Sequence, residues 1–379
     1  MLILALLLVF SLFMAYANGA NDNFKGVATL YGSGAATYKR ALTLATAATF
    51  AGSVASIYMA AALVKQFSGR GIVSSDVVST PVFAMAVAAA AAATVLLATW
   101  RGLPISTTHA LIGGIIGAGA AAIGPNLNLS VLGAQFVAPL VLGPLIAIGL
   151  TSMLYWVMHR TATRMRISRE TCVCVGSVFV PVARFSDPAG SGLSAARASL
   201  GNVTTVAAMG STSECFEKYT GEFFGVRVQP IVDGVHYASA VGVSFARGMN
   251  DTPKLVALLL VIPAWDIQLG CLAIAIGMAV GGLLNARKVA LTMSKKISKM
   301  NDGQACTANI VTALLVICAT PLGLPLSTTH VATGSIVGIG LTNGTANMRV
   351  LSSVLAAWLF TIPVAAALGA AVYYAGRLI

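Results

Sequence analysis

The chain has 379 residues, of which 57% are hydrophobic and only 9% are charged. Soluble domains carry roughly 25% charged residues, so an ordinary water-exposed surface is excluded. Much of the net charge of +12 comes from basic residues in segments 160–227 and 287–299, which lie between apolar runs. This placement is typical of cytoplasmic loops beside anionic membrane lipids, and it argues against nucleic acid as a partner.

Long apolar runs predict membrane-spanning helices along the chain. A helix needs about 20 apolar residues to cross a bilayer, and several runs are long enough for one or more crossings. The runs cover residues 2–17, 41–64, 82–99, 131–157, 255–284, 310–322 and 350–374. Continuous Ala, Leu, Val and Gly content without alternation favours helices over a β-barrel. We therefore predict an all-α, polytopic, multi-pass protein of the cell membrane with about 10–12 membrane segments.

The chain divides into two halves of similar pattern. Residues 1–158 predict a first transmembrane repeat, 159–234 a polar central loop in the cytoplasm, and 235–379 a second repeat. Each half carries an Asn-Asp motif, a stretch of helices and then a Ser-Thr-Thr-His motif. Polar clusters that occur twice in an apolar chain indicate a membrane transporter built from two related halves. Whether the halves are parallel or inverted depends on the number of crossings, which the sequence leaves open.

Residues 102–119 (GLPISTTHALIGGIIGAG) and 323–340 (GLPLSTTHVATGSIVGIG) match at eleven of eighteen positions. Proline suits the first turn of a helix, so a short helix is expected to begin near Pro104 and near Pro325. Hydroxyls and free amides at a helix N-terminus form an anion site. The alternative is that the hydroxyls only bond the backbone of their own helix. The candidate ligands of one tetrahedral oxyanion are Ser106, Thr107, Thr108, Ser327, Thr328 and Thr329.

Residues 19–25 (GANDNFK) and 248–254 (GMNDTPK) place a carboxylate within apolar sequence. Such a carboxylate is unfavourable in a membrane unless it is paired or coordinated, so it is a functional candidate. Carboxylate and amide oxygens suit a hard cation such as sodium. The candidate sodium ligands are Asn21, Asp22, Asn250 and Asp251. Lys25 and Lys254 follow the aspartates at i+3, on the same helix face, so static ion pairs are an equal alternative.

His109 and His330 end the two Ser-Thr-Thr-His motifs. A histidine can relay protons near neutral pH. The alternative is that both rings donate hydrogen bonds that hold the surrounding hairpins. The sequence leaves both interpretations open.

At these motifs the chain resembles the inorganic phosphate transporter (PiT) family. That family carries a GANDVAN-type motif and a G-L-P-[IVL]-S-T-T-H motif in each of two inverted repeats, which a central cytoplasmic loop separates. The resemblance covers both halves and implies a secondary transporter of phosphate, usually coupled to sodium. It also implies that the two Ser-Thr-Thr triplets hold the anion and that the Asn-Asp pairs belong to the coupling-cation sites.

The chain departs from the family pattern at Lys25 and Lys254, where the family has a second asparagine. A fixed ammonium there would repel sodium and neutralise the neighbouring aspartate. A proton-coupled or sodium-independent mode is therefore an alternative, and sulfate is an alternative to phosphate as the anion.

The sequence thus predicts a cation-coupled phosphate transporter that works by alternating access, with a re-entrant helical hairpin in each repeat. We expect no enzymatic activity and no cofactor, with sodium or a proton as the coupling ion. The expected partners are the oxyanion and membrane lipids, and a homodimer is compatible with the sequence. The rival functions are a membrane-embedded hydrolase with a Ser/His pair and an anion channel.

Overall fold

A computed structural model describes residues 1–59, 61–166, 171–179, 203–211, 223–262 and 266–379. The first half contains nine helices within these residues: α1 (Leu2–Asp22), α2 (Ala28–Ser33), α3 (Tyr38–Met59), α4 (Ala61–Phe67), α5 (Ser75–Val78), α6 (Pro81–Trp100), α7 (Thr107–Ile123), α8 (Leu129–Leu132) and α9 (Ala138–Arg164). A 3-10 turn (Lys25–Val27) joins α1 to α2, and a π-helical turn (Gly133–Val137) joins α8 to α9.

The second half contains six helices within the described residues. Its described helices are α10 (Val228–Leu259), α11 (Ile267–Asn285), α12 (Arg287–Leu291), α13 (Asp302–Ala319), α14 (Thr328–Asn343) and α15 (Met348–Gly376). A π-helical turn (Thr292–Lys296) follows α12. These helices confirm the prediction of an all-α membrane protein for the part of the chain that they form.

Within the described residues, seven helical segments are long and apolar enough to cross a membrane. They are Leu2–Ser33, Tyr38–Tyr58, Pro81–Trp100, Leu129–Arg164, Ile267–Asn285, Asp302–Ala319 and Met348–Gly376. The sequence predicted more membrane segments, and three further helices account for the difference. Helix α10 is long but carries the charged residues Arg247, Asp251 and Lys254, and α7 and α14 have only 17 and 16 residues.

The chain forms two compact units. The first consists of Met1–Val157 and Val235–Ile379, and the second of Met158–Gly234. The described part of the second unit contains a three-stranded antiparallel sheet in the order β2-β1-β3. Its strands are β1 (Thr171–Phe179), β2 (Val203–Ser211) and β3 (Phe223–Arg227). The sequence pattern predicted a loop over this segment, so the strands are an addition to the all-α prediction.

In the first unit, glycines let the short helix of each half pack closely against the last helix of the other half. A Cβ atom on Gly117 of α7 would lie 1.9 Å from the carbonyl oxygen of Ala366 on α15. A Cβ atom on Gly338 of α14 would lie 2.7 Å from the carbonyl oxygen of Ile148 on α9. Only glycine allows such an approach of two backbones, so the halves interlock through their small residues.

Candidate functional site

The two predicted hairpins are present, and the same sequence builds the turn in each. Gly102 and Gly323 have φ angles of +70° and +67°, a conformation that glycine adopts without steric cost. In the first hairpin the amide of Leu103 donates to the carbonyl oxygen of Ala98 at 2.9 Å. Leu324 makes the equivalent bond in the second hairpin at 3.1 Å. This pattern is the Schellman motif, which ends α6 and α13.

A serine cap then begins each short helix. The side chains of Ser106 and Ser327 accept hydrogen bonds from the backbone amides of His109 and His330, each at 3.3 Å. The helices therefore begin at Thr107 and Thr328, directly after the serines. The sequence predicted that they begin near Pro104 and Pro325, three positions earlier. Because each cap accepts a bond, its hydroxyl proton remains able to donate elsewhere.

The first Asn-Asp motif lies at the end of a helix, and the second lies inside a helix. In the first half, α1 ends at Asp22 and a 3-10 turn begins at Lys25. In the second half, α10 continues through the motif with Pro253 inside the helix. A proline removes one intrahelical hydrogen bond, so both motifs sit where the helical backbone is weakened.

Both aspartates form ion pairs with the lysines three positions later. Lys25 contacts Asp22, and the Lys254 Nζ atom lies 3.2 Å from an oxygen of Asp251. All four side chains are buried. The ion pairs that the sequence offered as an alternative are therefore formed in this structure.

The threonines of the first short helix reach these ion pairs. The hydroxyl of Thr107 donates to Asp22 at 2.9 Å, and the hydroxyl of Thr108 accepts from Lys254 at 3.1 Å. In the second short helix, Thr329 accepts a hydrogen bond from Lys25 at 2.6 Å. The N-termini of α7 and α14 consequently meet at the same buried cluster.

The two asparagines of the motifs hold the hairpin turns. Asn21 donates to the hydroxyl of Thr99 at 2.9 Å and to the carbonyl oxygen of Leu103 at 3.1 Å. Asn250 donates to the carbonyl oxygen of Leu326 at 3.2 Å. The side-chain oxygen of Asn21 points into the cluster, where it accepts a hydrogen bond from Lys25 at 2.9 Å.

Two residues of the cluster were not predicted as site residues from the sequence. Arg247 on α10 is 1% exposed, donates to the side-chain oxygen of Asn18 and lies 3.6 Å from Asp251. Asn18 in turn donates to Thr107 at 2.9 Å. Both residues stand four positions before the aspartate of their motif, one helical turn away on the same face. A search for identical repeated residues passes over them because one is Asn and the other Arg.

The buried charges of the cluster do not cancel. Among the described residues, and with histidines counted as neutral, three buried lysine or arginine side chains stand against two buried aspartates, which leaves one excess formal positive charge. They are Lys25, Arg247, Lys254, Asp22 and Asp251. Each lysine is paired with its own aspartate, whereas Arg247 shares Asp251 with Lys254. An uncompensated buried charge is unfavourable, so the cluster is suited to an anionic ligand.

The two histidines contact each other. The rings of His109 and His330 have centroids 4.4 Å apart and lie nearly perpendicular. The ring of His330 also packs at 3.8 Å on Trp358, whose indole donates to the carbonyl oxygen of Pro104 at 3.0 Å. A His330 ring nitrogen lies 3.2 Å from the carbonyl oxygen of Leu140. The ring contact joins the two short helices, and both interpretations of the histidines remain predictions.

The remaining members of the predicted anion set are also buried. Thr328 is 5% exposed, and Ser106 and Ser327 are no more exposed than that. The structure thus brings Thr107, Thr108 and Thr329 together with the aspartates and the lysines, whereas Ser106 and Ser327 cap their own helices. The histidine pair lies at the contact between the two short helices.

The fold and the motifs define a multi-pass helical membrane protein. The model of the phosphate transporter family matches residues 18–369, so the chain belongs to that family. A Pyrococcus abyssi protein described as a phosphate permease is 29% identical over 98% of this chain and 97% of its own length. The chloroplastic inorganic phosphate transporter 2-1 of Arabidopsis thaliana is 26% identical over 95% of this chain and 70% of its own.

A solved structure shares the fold. It is described as the sodium-dependent phosphate transporter, and it matches with a TM-score of 0.75 and 22% identity over the full length of both chains. The family and these relatives are transporters of phosphate by name.

Proposed function

We propose that this chain carries inorganic phosphate across the membrane, coupled to a cation, with the buried charge cluster as its anion site. The observation that carries the proposal is the excess formal positive charge among the five buried lysine, arginine and aspartate side chains. An oxyanion would compensate that charge and accept hydrogen bonds from the nearby donors. Membership of the phosphate transporter family makes phosphate the first candidate.

The two short helices add to the attraction for an anion. Thr107 and Thr328 are the first residues of α7 and α14, where backbone amides lack intrahelical partners. The dipole of each helix contributes roughly half a positive charge at this end. We therefore assign the oxyanion to the hydroxyls and amides of the two Ser-Thr-Thr triplets, with Arg247 as the countercharge.

An inverted arrangement of the halves is supported by the number of crossings. Four candidate spans precede the central loop. We take Pro81–Trp100 to pair with α7 in a hairpin that returns to its own side, which leaves three crossings: Leu2–Ser33, Tyr38–Tyr58 and Leu129–Arg164. An odd number of crossings makes the second half begin on the opposite face of the membrane. Cysteines introduced at Asn126 and Thr345, near the open ends of the two hairpins, should react with an impermeant thiol reagent from opposite sides; reaction from one side would exclude inversion.

Alternating access is supported by a cavity on one side of the cluster. The cavity has a volume of about 500 Å³, and its lining includes the exposed Lys65 and Arg70 as well as Pro253, the neighbour of Lys254. The cluster itself is buried. A cavity that reaches toward a closed central site suits a transporter that opens to one side at a time. Labelling of Ala257→Cys in the cavity wall should therefore depend on whether phosphate is present.

The coupling cation is either sodium or a proton. Asn21, Asp22, Asn250 and Asp251 supply oxygen ligands of the type that sodium prefers. The aspartates and the histidine pair supply groups that can exchange a proton. An ion gradient of either kind would drive the anion uphill.

Uptake into proteoliposomes tests the proposed function. Labelled phosphate uptake should saturate, should run uphill when a sodium or pH gradient is imposed, and should be competed by unlabelled phosphate more strongly than by sulfate. Stronger competition by sulfate would reassign the anion. Flux that does not saturate and never exceeds equilibrium would identify a channel instead.

A further inference from the structure

The ammonium group of Lys25 lies in a cage of oxygen atoms. It donates to the side-chain oxygen of Asn21 at 2.9 Å, to the carbonyl oxygen of Ile105 at 2.8 Å and to the hydroxyl of Thr329 at 2.6 Å. The fourth oxygen is the carboxylate of Asp22. Carboxylate, amide, carbonyl and hydroxyl oxygens are the ligands that hard cations take in proteins. The four oxygens have the chemistry of a cation site, and the cation that they surround is the ammonium group of Lys25 itself.

Lys254 occupies a corresponding cage in the second half. Its ammonium lies 3.2 Å from Asp251, 3.1 Å from the hydroxyl of Thr108 and 2.9 Å from the carbonyl oxygen of Leu326. In the described structure this cage has three oxygen contacts against four around Lys25, and its contacts are longer. Both ammonium groups are buried, so bulk water does not solvate them.

Each cage combines parts of both halves in the same way. The carbonyl comes from the residue before the serine cap of the same half, Ile105 for Lys25 and Leu326 for Lys254. The hydroxyl comes from the last threonine of the triplet in the other half. The lysines thus neutralise the aspartates and join the two hairpins, which are the two tasks that a bound cation would perform at these positions.

We propose that the ammonium groups of Lys25 and Lys254 replace bound sodium ions, so that anion binding and transport need no sodium. The inference rests on the proposed transport of phosphate, and it assigns the coupling to a proton. It also means that removing the Lys25 ammonium leaves a vacant oxygen cage around a buried carboxylate that has lost its ion-pair partner, whereas removing the Lys254 ammonium leaves a cage in which Asp251 keeps Arg247 at 3.6 Å. The cage around Asp22 in particular should then bind sodium, because an isolated buried charge is strongly unfavourable without a counterion.

The first arm of the test uses the unmodified protein in proteoliposomes. Phosphate uptake should change less than twofold when sodium is replaced by choline, and it should respond to a pH gradient. A steep sodium dependence of uptake in the unmodified protein would overturn the inference while leaving phosphate transport intact. No phosphate uptake with any cation would instead count against the proposed function.

The second arm measures sodium binding without transport. Purified Lys25→Asn should lose at least tenfold in phosphate uptake without sodium, should recover part of it with sodium, and should be thermally stabilised by sodium but not by choline. Lys299→Asn makes the same change at an exposed lysine and serves as the matched control. The unmodified protein and the control should show no sodium-specific shift in their unfolding temperature.

A second variant covers the case in which Lys25→Asn does not fold. Lys254→Asn removes the ammonium with fewer and longer contacts, so it should disturb the fold less. Sodium-specific stabilisation of either folded variant supports the cage. The inference is overturned if sodium stabilises neither variant. This includes a variant that stays unfolded in sodium and a folded variant whose unfolding temperature sodium does not change.

Discussion

Replacement of Arg247 by glutamine tests whether the excess buried charge is used to bind the anion. Asp251 keeps Lys254 as its partner in this variant, so neither aspartate is left without a cation. The change removes the one positive charge that the carboxylates do not balance. A lost hydrogen bond to a charged partner costs about 1.5–3 kcal/mol, which corresponds to roughly ten- to hundredfold in affinity.

The same change also disturbs contacts that hold the helices. Arg247 donates to Asn18, to the side-chain oxygen of Asn23 at 3.2 Å and to Thr49 at 3.4 Å. Arg247→Lys separates the two effects, because lysine keeps the charge but cannot reproduce the planar set of donors. If charge matters, the lysine variant should bind phosphate more tightly than the glutamine variant at similar thermal stability.

The assay is saturation of phosphate uptake in proteoliposomes together with thermal unfolding in detergent. Arg349→Gln makes the same change at an exposed arginine and should leave the KM for phosphate unaltered. A folded Arg247→Gln protein with a normal KM would refute the assignment of Arg247 as the countercharge.

Three further outcomes are expected. Thr107→Val removes a hydroxyl assigned to the oxyanion and keeps the side-chain shape, so phosphate binding should weaken about ten- to hundredfold; unchanged binding would remove Thr107 from the site. Asp22→Asn and Asp251→Asn should each nearly abolish uptake in a folded protein, and near-normal uptake in either variant would make that carboxylate structural. Gly117→Ala should lower the unfolding temperature because its Cβ meets a backbone oxygen, whereas Gly149→Ala, with open space around its Cβ, should not.

The hairpins could be predicted from the sequence because they rest on local rules. A Gly-Leu-Pro turn ends one helix, and a serine followed by two threonines begins the next. The functional roles of the fourteen predicted site residues remain predictions.

Other features depend on tertiary contacts and could not be predicted. Asn18 and Arg247 occupy equivalent positions but differ in chemistry, so repetition gives no signal. The perpendicular contact of His109 with His330 exists only because α7 and α14 meet end to end. The choice between ion pair and cation site at Asp22 also required the structure, because it depends on where the Lys25 side chain lies among oxygens from distant segments.

The ion pair between Asp22 and Lys25 has a consequence for the order in which the protein is made. Two of the other partners of Lys25, Ile105 and Thr329, follow it by 80 and 304 residues. A lone charge at the centre of a membrane helix disfavours insertion by about 2.5–3.5 kcal/mol. Because Asp22 and Lys25 lie three residues apart, they neutralise each other before the later segments are synthesised. The first helix can therefore insert into the bilayer as a locally neutral segment, before the distant residues that contact Lys25 have been synthesised.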